Sequence, residues 1–217
     1  MRDGTESTSK PRGRPRAFEP SDALDALTKV FWTHGFAAAS LDALAASAGV
    51  NRPSLYAAFG DKRTMYLRAI EKVAAGLEAS MTRVLAGDRP LRDELTAFYA
   101  ASVEAYLAGE PGPRGCLVLC TAPSSSLDEP EVRDALRGVL AMIDGAFEKR
   151  FARAIEAGEL PTDTDVRALA RVASSGLHSL SIRARAGESR AQLLTLARAT
   201  VTLTVGVTPT PRRRPRR

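Results

Sequence analysis

Cysteine, histidine, tryptophan and aromatic side chains in general are scarce in this chain of 217 residues: two Cys, two His, one Trp and 6% aromatic. Two cysteines build no disulfide framework and fit a reducing, cytoplasmic setting. Two histidines leave little room for a metal centre or an acid–base pair. There is no glycine-rich phosphate loop, no H-E-x-x-H and no nucleophile–base arrangement, so the sequence predicts no enzyme and no cofactor. Long hydrophobic runs are missing as well. No stretch of about 18 uncharged apolar residues exists to span a bilayer, and no apolar segment follows the charged N-terminus as a secretory signal requires. Strand-like alternation is absent. What remains is rich in Ala, Leu, Val and Arg, with long proline-free runs between breakers, and predicts an all-α fold with a sizeable core.

The net charge of +6 is unevenly placed. Arg2, Lys10, Arg12, Arg14 and Arg16 outweigh Asp3 and Glu6 in residues 1–16, and Arg212, Arg213, Arg214, Arg216 and Arg217 crowd residues 208–217. The body between is slightly acidic, so bulk charge is a poor argument for nucleic acid here. Residues 1–16, short of apolar side chains, are expected to be a disordered basic arm, and 208–217 a disordered basic tail. Within the arm, Arg12-Gly13-Arg14-Pro15-Arg16 resembles the core of an AT-hook, whose arginines enter a narrow A·T minor groove.

The chain is organised around Ser40–Lys62, SLDALAASAGVNRPSLYAAFGDK. Ser40 is a good N-cap, and Leu41, Leu44, Ala45 and Ala48 follow at helical spacing. Gly49 suits a helix C-terminus. Asn51 caps the next helix, with Pro53 tolerated in its first turn. Leu55 and Phe59 turn inward, leaving Arg52, Pro53, Ser54 and Tyr56 at the exposed leading end. This is the layout of a helix-turn-helix, whose second helix reads bases with its N-terminal residues. Arg52 is the best base reader, because its fork matches guanine O6 and N7. Pro53 suits a thymine methyl. Asp42 either accepts from cytosine N4 or faces solvent and weakens phosphate binding.

The run Ala48 to Lys62, AGVNRPSLYAAFGDK, resembles the signature of the TetR family of one-component bacterial repressors, and Ala23 to Phe36 resembles that family's first helix. The resemblance covers about the first third of the chain. It implies a homodimer, a double-stranded DNA operator and a C-terminal helical domain that binds a small-molecule inducer. It also implies base or backbone contacts by Arg52, Pro53 and Tyr56, and phosphate contacts by Ser54 and Lys62; Ser40 is expected to set an N–H-rich helix end against the DNA backbone, and Asn51 is counted with these DNA-binding residues. Ala57 and Ala58 depart from the pattern, where an aromatic residue and a histidine are common.

The expected organisation is a three-helix DNA-binding domain over 17–77 and a six-helix ligand-binding and dimerisation domain over 78–207. Helices are expected at about 21–34, 62–85, 91–108, 115–122, 131–157, 165–186 and 189–205, besides the two already placed. Pro123 to Ser126 reads as a loop and Asp128 as a cap. Met81, Phe98, Tyr99, Val103, Tyr106, Leu117, Cys120 and Met142 are candidates for a ligand cavity, with the two tyrosines of interest because a buried phenol wants a partner. Cys116, beside Arg114 at a helix start, is a candidate low-pKa thiol, with Cys120 as its resolving partner. Zinc at this C-x3-C pair lacks further ligands. Leu169, Val172, Gly176, Leu180, Leu193, Leu196 and Val201 are the expected dimer seam. Two other readings stand beside the regulator: an architectural protein of A·T-rich DNA without inducer, and a thiol-based electrophile sensor of the same fold.

Overall fold

The computed structural model describes residues 19–109, 112 and 114–206, and every residue in an element among them is helical. The order is α1 (Pro20–Ala38), α2 (Leu41–Ser47), α3 (Arg52–Phe59), α4 (Lys62–Val84), α5 (Leu91–Leu107), α6 (Leu117–Ser125), α7 (Pro130–Glu156), α8 (Val166–Arg185) and α9 (Arg190–Val205). The basic arm with Arg12, Arg14 and Arg16 and the arginine-rich tail 208–217 lie outside the described residues.

Local chemistry sets most helix starts. Ser40, Asn51 and Asp61 accept from the backbone N–H of Ala43, Ser54 and Thr64. Asp165 accepts from Arg167 and Ala168, and Ser189 forms a reciprocal capping box with Gln192. Inside α1, Gly35 lies at φ 72°, in the left-handed region, so the helix proper ends there and Phe36–Ala38 form a separate turn.

Two boundaries differ from those expected. Helix α6 runs through Pro123 to Ser125. The missing proline N–H costs one helical bond, while Ala122 and Ser125 are buried and hold the last turn in place. Asp128 does not cap α7. Its N-cap is Glu129, without a side-chain bond, and Pro130 at the first helical position sets the start.

Helices α1–α3 form a head that packs through α1 on α4 and α6, and α5, α7, α8 and α9 pack around one another behind it. One buried apolar cluster runs from Ala23 in α1 to Val201 in α9. Helix α4 crosses the expected boundary after residue 77 without a break, contributing Tyr66 and Ile70 near the head and Met81 in the body. Trp32 Nε1 donates to the Gly115 carbonyl at 3.2 Å, and the buried Tyr66 and Thr121 hydroxyls lie 2.6 Å apart. Arg185 Nη1 donates to the carbonyls of Trp32 and Arg114. These bonds tie α1 of the head, and α4 beside it, to α6 and α8.

At the opposite end of the body Arg150, only 1% exposed, donates through Nε to Glu94 at 2.5 Å and through Nη2 to Glu159 and the Arg89 carbonyl, both at 3.1 Å. Glu94, also 1% exposed, accepts from the N–H groups of Gly87 and Arg89, and Glu159 accepts from that of Leu91. One buried guanidinium thus joins the α4–α5 turn, the start of α5, helix α7 and the turn after it.

Candidate nucleic-acid interface and ligand cleft

The leading end of α3 stands in solvent. Leu55 and Phe59 point into the head core, while Arg52, Pro53, Ser54 and Tyr56 are exposed. Asn51 Oδ1 holds the Ser54 N–H at 2.9 Å and Ser40 Oγ holds that of Ala43 at 3.1 Å, so both act as caps. Gly60 closes α3 at φ 79°, and Asp61 begins α4 at once. The turn between the reading helix and the connecting helix is therefore short and fixed.

Arg52 does not hang free. Its Nε donates to Asp42 Oδ1 at 2.6 Å, and its Nη2 donates to Asp42 Oδ2, forming a side-on bidentate pair. The hydrogen bond from Arg52 holds the Asp42 carboxyl below its ordinary range, and the same contact raises the guanidinium. The two side chains come from α2 and α3 and both remain largely exposed. Lys62 Nζ turns inward, donating to the Ala37 carbonyl at 3.1 Å and lying 4.9 Å from the Phe36 ring centre. Partial burial lowers its pKa. It thus fastens α4 to the last turn of α1, with two of its three N–H donors left over.

Behind the head, Met81 and Met142 line an open cleft of about 750 Å³ between α4 and α7, together with Glu78, Thr82, Leu85 and Lys149. The other expected lining residues are not there. Phe98, Tyr99, Phe147 and Phe151 pack ring against ring in the body core. Tyr99 donates its hydroxyl to the Ala173 carbonyl at 2.8 Å, so backbone rather than a ligand satisfies it. Val103 and Leu117 are fully buried. Cys120 Sγ lies 3.4 Å from Ser181 Oγ. Only Tyr106 matches the idea of an unpaired phenol: its hydroxyl is buried without a partner among the described residues.

Cys116 departs from expectation in direction. Burial pushes its thiol up to about 11, outweighing the N–H groups of Leu119 and Val118. A helix start lowers a thiol pKa only where the thiolate is also solvated. No group of His, Cys, Asp and Glu among the described residues is arranged to hold a metal ion.

The expected seam on the last two helices is partly turned inward. Leu180, Leu193 and Val201 are buried within the chain, and Leu169, Gly176 and Leu196 are half-buried. A Cβ on Gly176 would come within 2.4 Å of Thr200 Cγ2, so this glycine serves the contact of α8 with α9. The outward apolar residues are Val172 and Ile182 on α8, 53% and 56% exposed, and Leu203 on α9, 79% exposed. Helical periodicity located these faces but not which one points away from the body. Two groupings that sequence reasoning missed, Asp42 with Arg52 and Arg150 with its two glutamates, join residues from different helices.

Comparison with known proteins agrees with this fold. Residues 23–69 match the bacterial regulatory proteins of the tetR family, and residues 92–200 match the tetracyclin repressor-like C-terminal domain. The transcriptional repressor ComR of Escherichia coli K12 is 30% identical over 199 residues, spanning 90% of this chain and 93% of ComR. The repressor BdcR of the same organism is 29% identical over 194 residues, 89% and 92% of the two chains. Among solved structures, a cysteine mutant of the TetR family regulator CifR, complexed with 26-bp operator DNA, superposes with a TM-score of 0.80 at 32% identity, covering 87% of this chain and 98% of that one. With a helix-turn-helix in front, an all-helical body behind and relatives matched over nearly their whole length, this chain belongs to the TetR family of bacterial transcriptional regulators.

Proposed function

We propose that the protein is a repressor that binds a palindromic operator as a homodimer and leaves it when a small molecule occupies the α4–α7 cleft. The observation that carries this reading is the exposed tip of α3, where Arg52, Pro53 and Tyr56 project while Leu55 and Phe59 anchor the helix from behind. Arg52 and Pro53 then meet base edges, and Ser54, Tyr56 and the spare Lys62 donors meet phosphates. The arm arginines Arg12, Arg14 and Arg16 add minor-groove contacts. Residues 17–65 carry Lys29, Arg52, Lys62 and Arg63 against Glu19, Asp22, Asp25, Asp42 and Asp61. The arm therefore supplies much of the electrostatic affinity.

The pairing surface is the outward face of α8 and α9 with Val172, Ile182 and Leu203, so that two heads fall about 34–36 Å apart, one turn of DNA. The cleft, lined by two methionines, Leu85 and a rim with Glu78 and Lys149, suits a ligand with an apolar body and a polar handle. The ligand is bound and released unchanged. Relatives include repressors by name, and the CifR complex holds operator DNA.

The test is gel-shift and footprinting of the full chain on fragments around its own gene. A compact footprint of two half-sites, lost in Arg52→Ala and in Ile182→Glu, is expected. Binding to every A·T-rich fragment with no discrete footprint would favour the architectural protein and sink the repressor.

A further inference from the structure

We propose that Asp42 is a specificity-determining residue that acts through Arg52, holding one edge of the guanidinium so that its other edge presents a pre-aimed fork to a guanine. The inference rests on the reading of α3 as the recognition helix.

A guanidinium has five N–H donors distributed over distinct edges. Asp42 takes the edge made by Nε and one N–H of Nη2. Nη1, and the second N–H of Nη2, form the end-on edge, which Asp42 does not touch. That free edge is the one that matches O6 and N7 of a guanine in the major groove. The carboxylate and the base are therefore not competitors for the same donors.

Without Asp42, an exposed arginine at the tip of α3 would sample many rotamers, and fixing it would be charged against binding. With Asp42 the rotamer is chosen beforehand. The carboxylate itself is placed by the first turn of α2, whose start is set by the Ser40 cap. Backbone geometry of the helix pair thus fixes the carboxylate, and the carboxylate fixes the fork. Orientation also narrows choice. A floating arginine can slide to a phosphate or a neighbouring base, whereas a held one meets a single base pair and finds an amino group in place of an acceptor when guanine is replaced by adenine.

Asp42 could act in two other ways, each with its own signature. A carboxylate reading cytosine N4 directly would set a preference that survives loss of Arg52. A carboxylate that only repels phosphates would weaken every sequence alike, and its neutralisation would tighten binding generally.

The experiment uses the full chain and a duplex library with a randomised core, selected by wild-type protein. Preference at each base pair is then compared for wild type, Asp42→Asn, Arg52→Ala and the double variant, with circular dichroism melts to confirm folding. Asp42→Asn is expected to lower the preference for guanine at one base pair per half-site by about tenfold, leaving other positions unchanged. The double variant is expected to be no worse than Arg52→Ala alone, because the two residues act as one unit. Unchanged guanine preference in Asp42→Asn overturns the inference, as does a uniform gain in affinity or an effect of Asp42→Asn that persists in the Arg52→Ala background. In all three outcomes a base preference lost on Arg52→Ala leaves the recognition-helix reading intact. If Arg52→Ala itself alters no base preference, that reading fails and this inference with it.

Discussion

Replacing Arg150 by methionine is expected to cost the fold about 3–5 kcal/mol, the cost of leaving a buried partner unpaired. Methionine keeps much of the apolar stem, so the loss is electrostatic rather than a cavity. The change removes a 2.5 Å bond to Glu94 and 3.1 Å bonds to Glu159 and the Arg89 carbonyl. Glu159 can turn to water, but Glu94 is 1% exposed and would be left with the Gly87 and Arg89 N–H groups alone. At about 2–4 °C per kcal/mol for a chain of this size, the melting point falls by roughly 6–20 °C. Burial by itself raises the Glu94 carboxyl. In the wild type Arg150, with the Gly87 and Arg89 N–H groups, outweighs that and holds it below the ordinary range. Its stabilising contribution is therefore present above the unfolded value of about 4.3 and lost as pH falls through the folded pKa. In Arg150→Met burial wins, the carboxyl rises, and protonation relieves the strain. The gap between wild type and variant should thus be widest near neutrality and close as the solution is acidified. Glu94→Gln in the Arg150→Met background, whose amide oxygen still accepts from both N–H groups, should recover most of the loss. Thermal melts give the shift in melting point, and urea unfolding at fixed protein concentration across pH gives the free energies. A loss under about 1 kcal/mol, below what breaking a buried pair costs, or a gap independent of pH, would mean that Arg150 does not hold Glu94 as a buried charged pair.

Ser189→Ala removes the capping box of α9 and is expected to cost about 1 kcal/mol in the same melts. Gly176→Ala drives a methyl against Thr200 Cγ2 and should cost about 1–3 kcal/mol, with Thr200→Ala restoring part of it by making room. Ile182→Glu, on an exposed face of α8, should shift sedimentation toward monomer and remove the dependence of the melting point on protein concentration that association gives the wild type. Cys116 has a thiol pushed up to about 11, so iodoacetamide near neutral pH should label it slowly in the native protein and quickly in urea.

The helix-turn-helix was readable because its information is local. Ser40, Asn51 and Asp61 cap helices within three residues of themselves, and Leu55 and Phe59 declare the inner face of α3 by spacing alone. The body was readable as helices but not as a site. Phe98 and Tyr99 looked equally suited to a cavity wall and to a core, and only the packing of α7 against α5 decides for the core. Leu180 and Leu193 carry the same periodic signal whether they face a sister helix or a second subunit. Arg150 and Glu94 stand 56 positions apart in the chain, a distance over which no spacing rule speaks. Cys116 misled because a favourable backbone position and an unfavourable burial oppose each other, and burial is not a local property.

The proposed inducer response asks how an event at Met81 is felt at Arg52, and the bonds around α4 limit the answer. Lys62 and Met81 share one unbroken helix, so they lie about 28 Å apart at 1.5 Å per residue. Lys62 is fastened to the Ala37 carbonyl, and Tyr66 to Thr121 on α6. A ligand that pushes α4 away from α7 therefore cannot slide the helix past the head. It is expected instead to swing α4 with the head attached, with the buried Tyr66–Thr121 contact as pivot and Trp32 shifting against the carbonyl of Gly115. A wedge at the cleft should then act as an inducer. Met81 borders the cleft but is only 1% exposed, so the larger ring of Met81→Trp has to push α4 from its packing, and it is expected to weaken operator binding by about tenfold, an equilibrium shift of roughly 1.4 kcal/mol between head positions. The change should appear with a stability cost of about 1–3 kcal/mol, that of overpacking a buried site, and Tyr66→Phe should enlarge the loss of operator binding by loosening the pivot. If Met81→Trp binds the operator as tightly as wild type while remaining folded, α4 does not carry the signal and the cleft is not where the ligand acts.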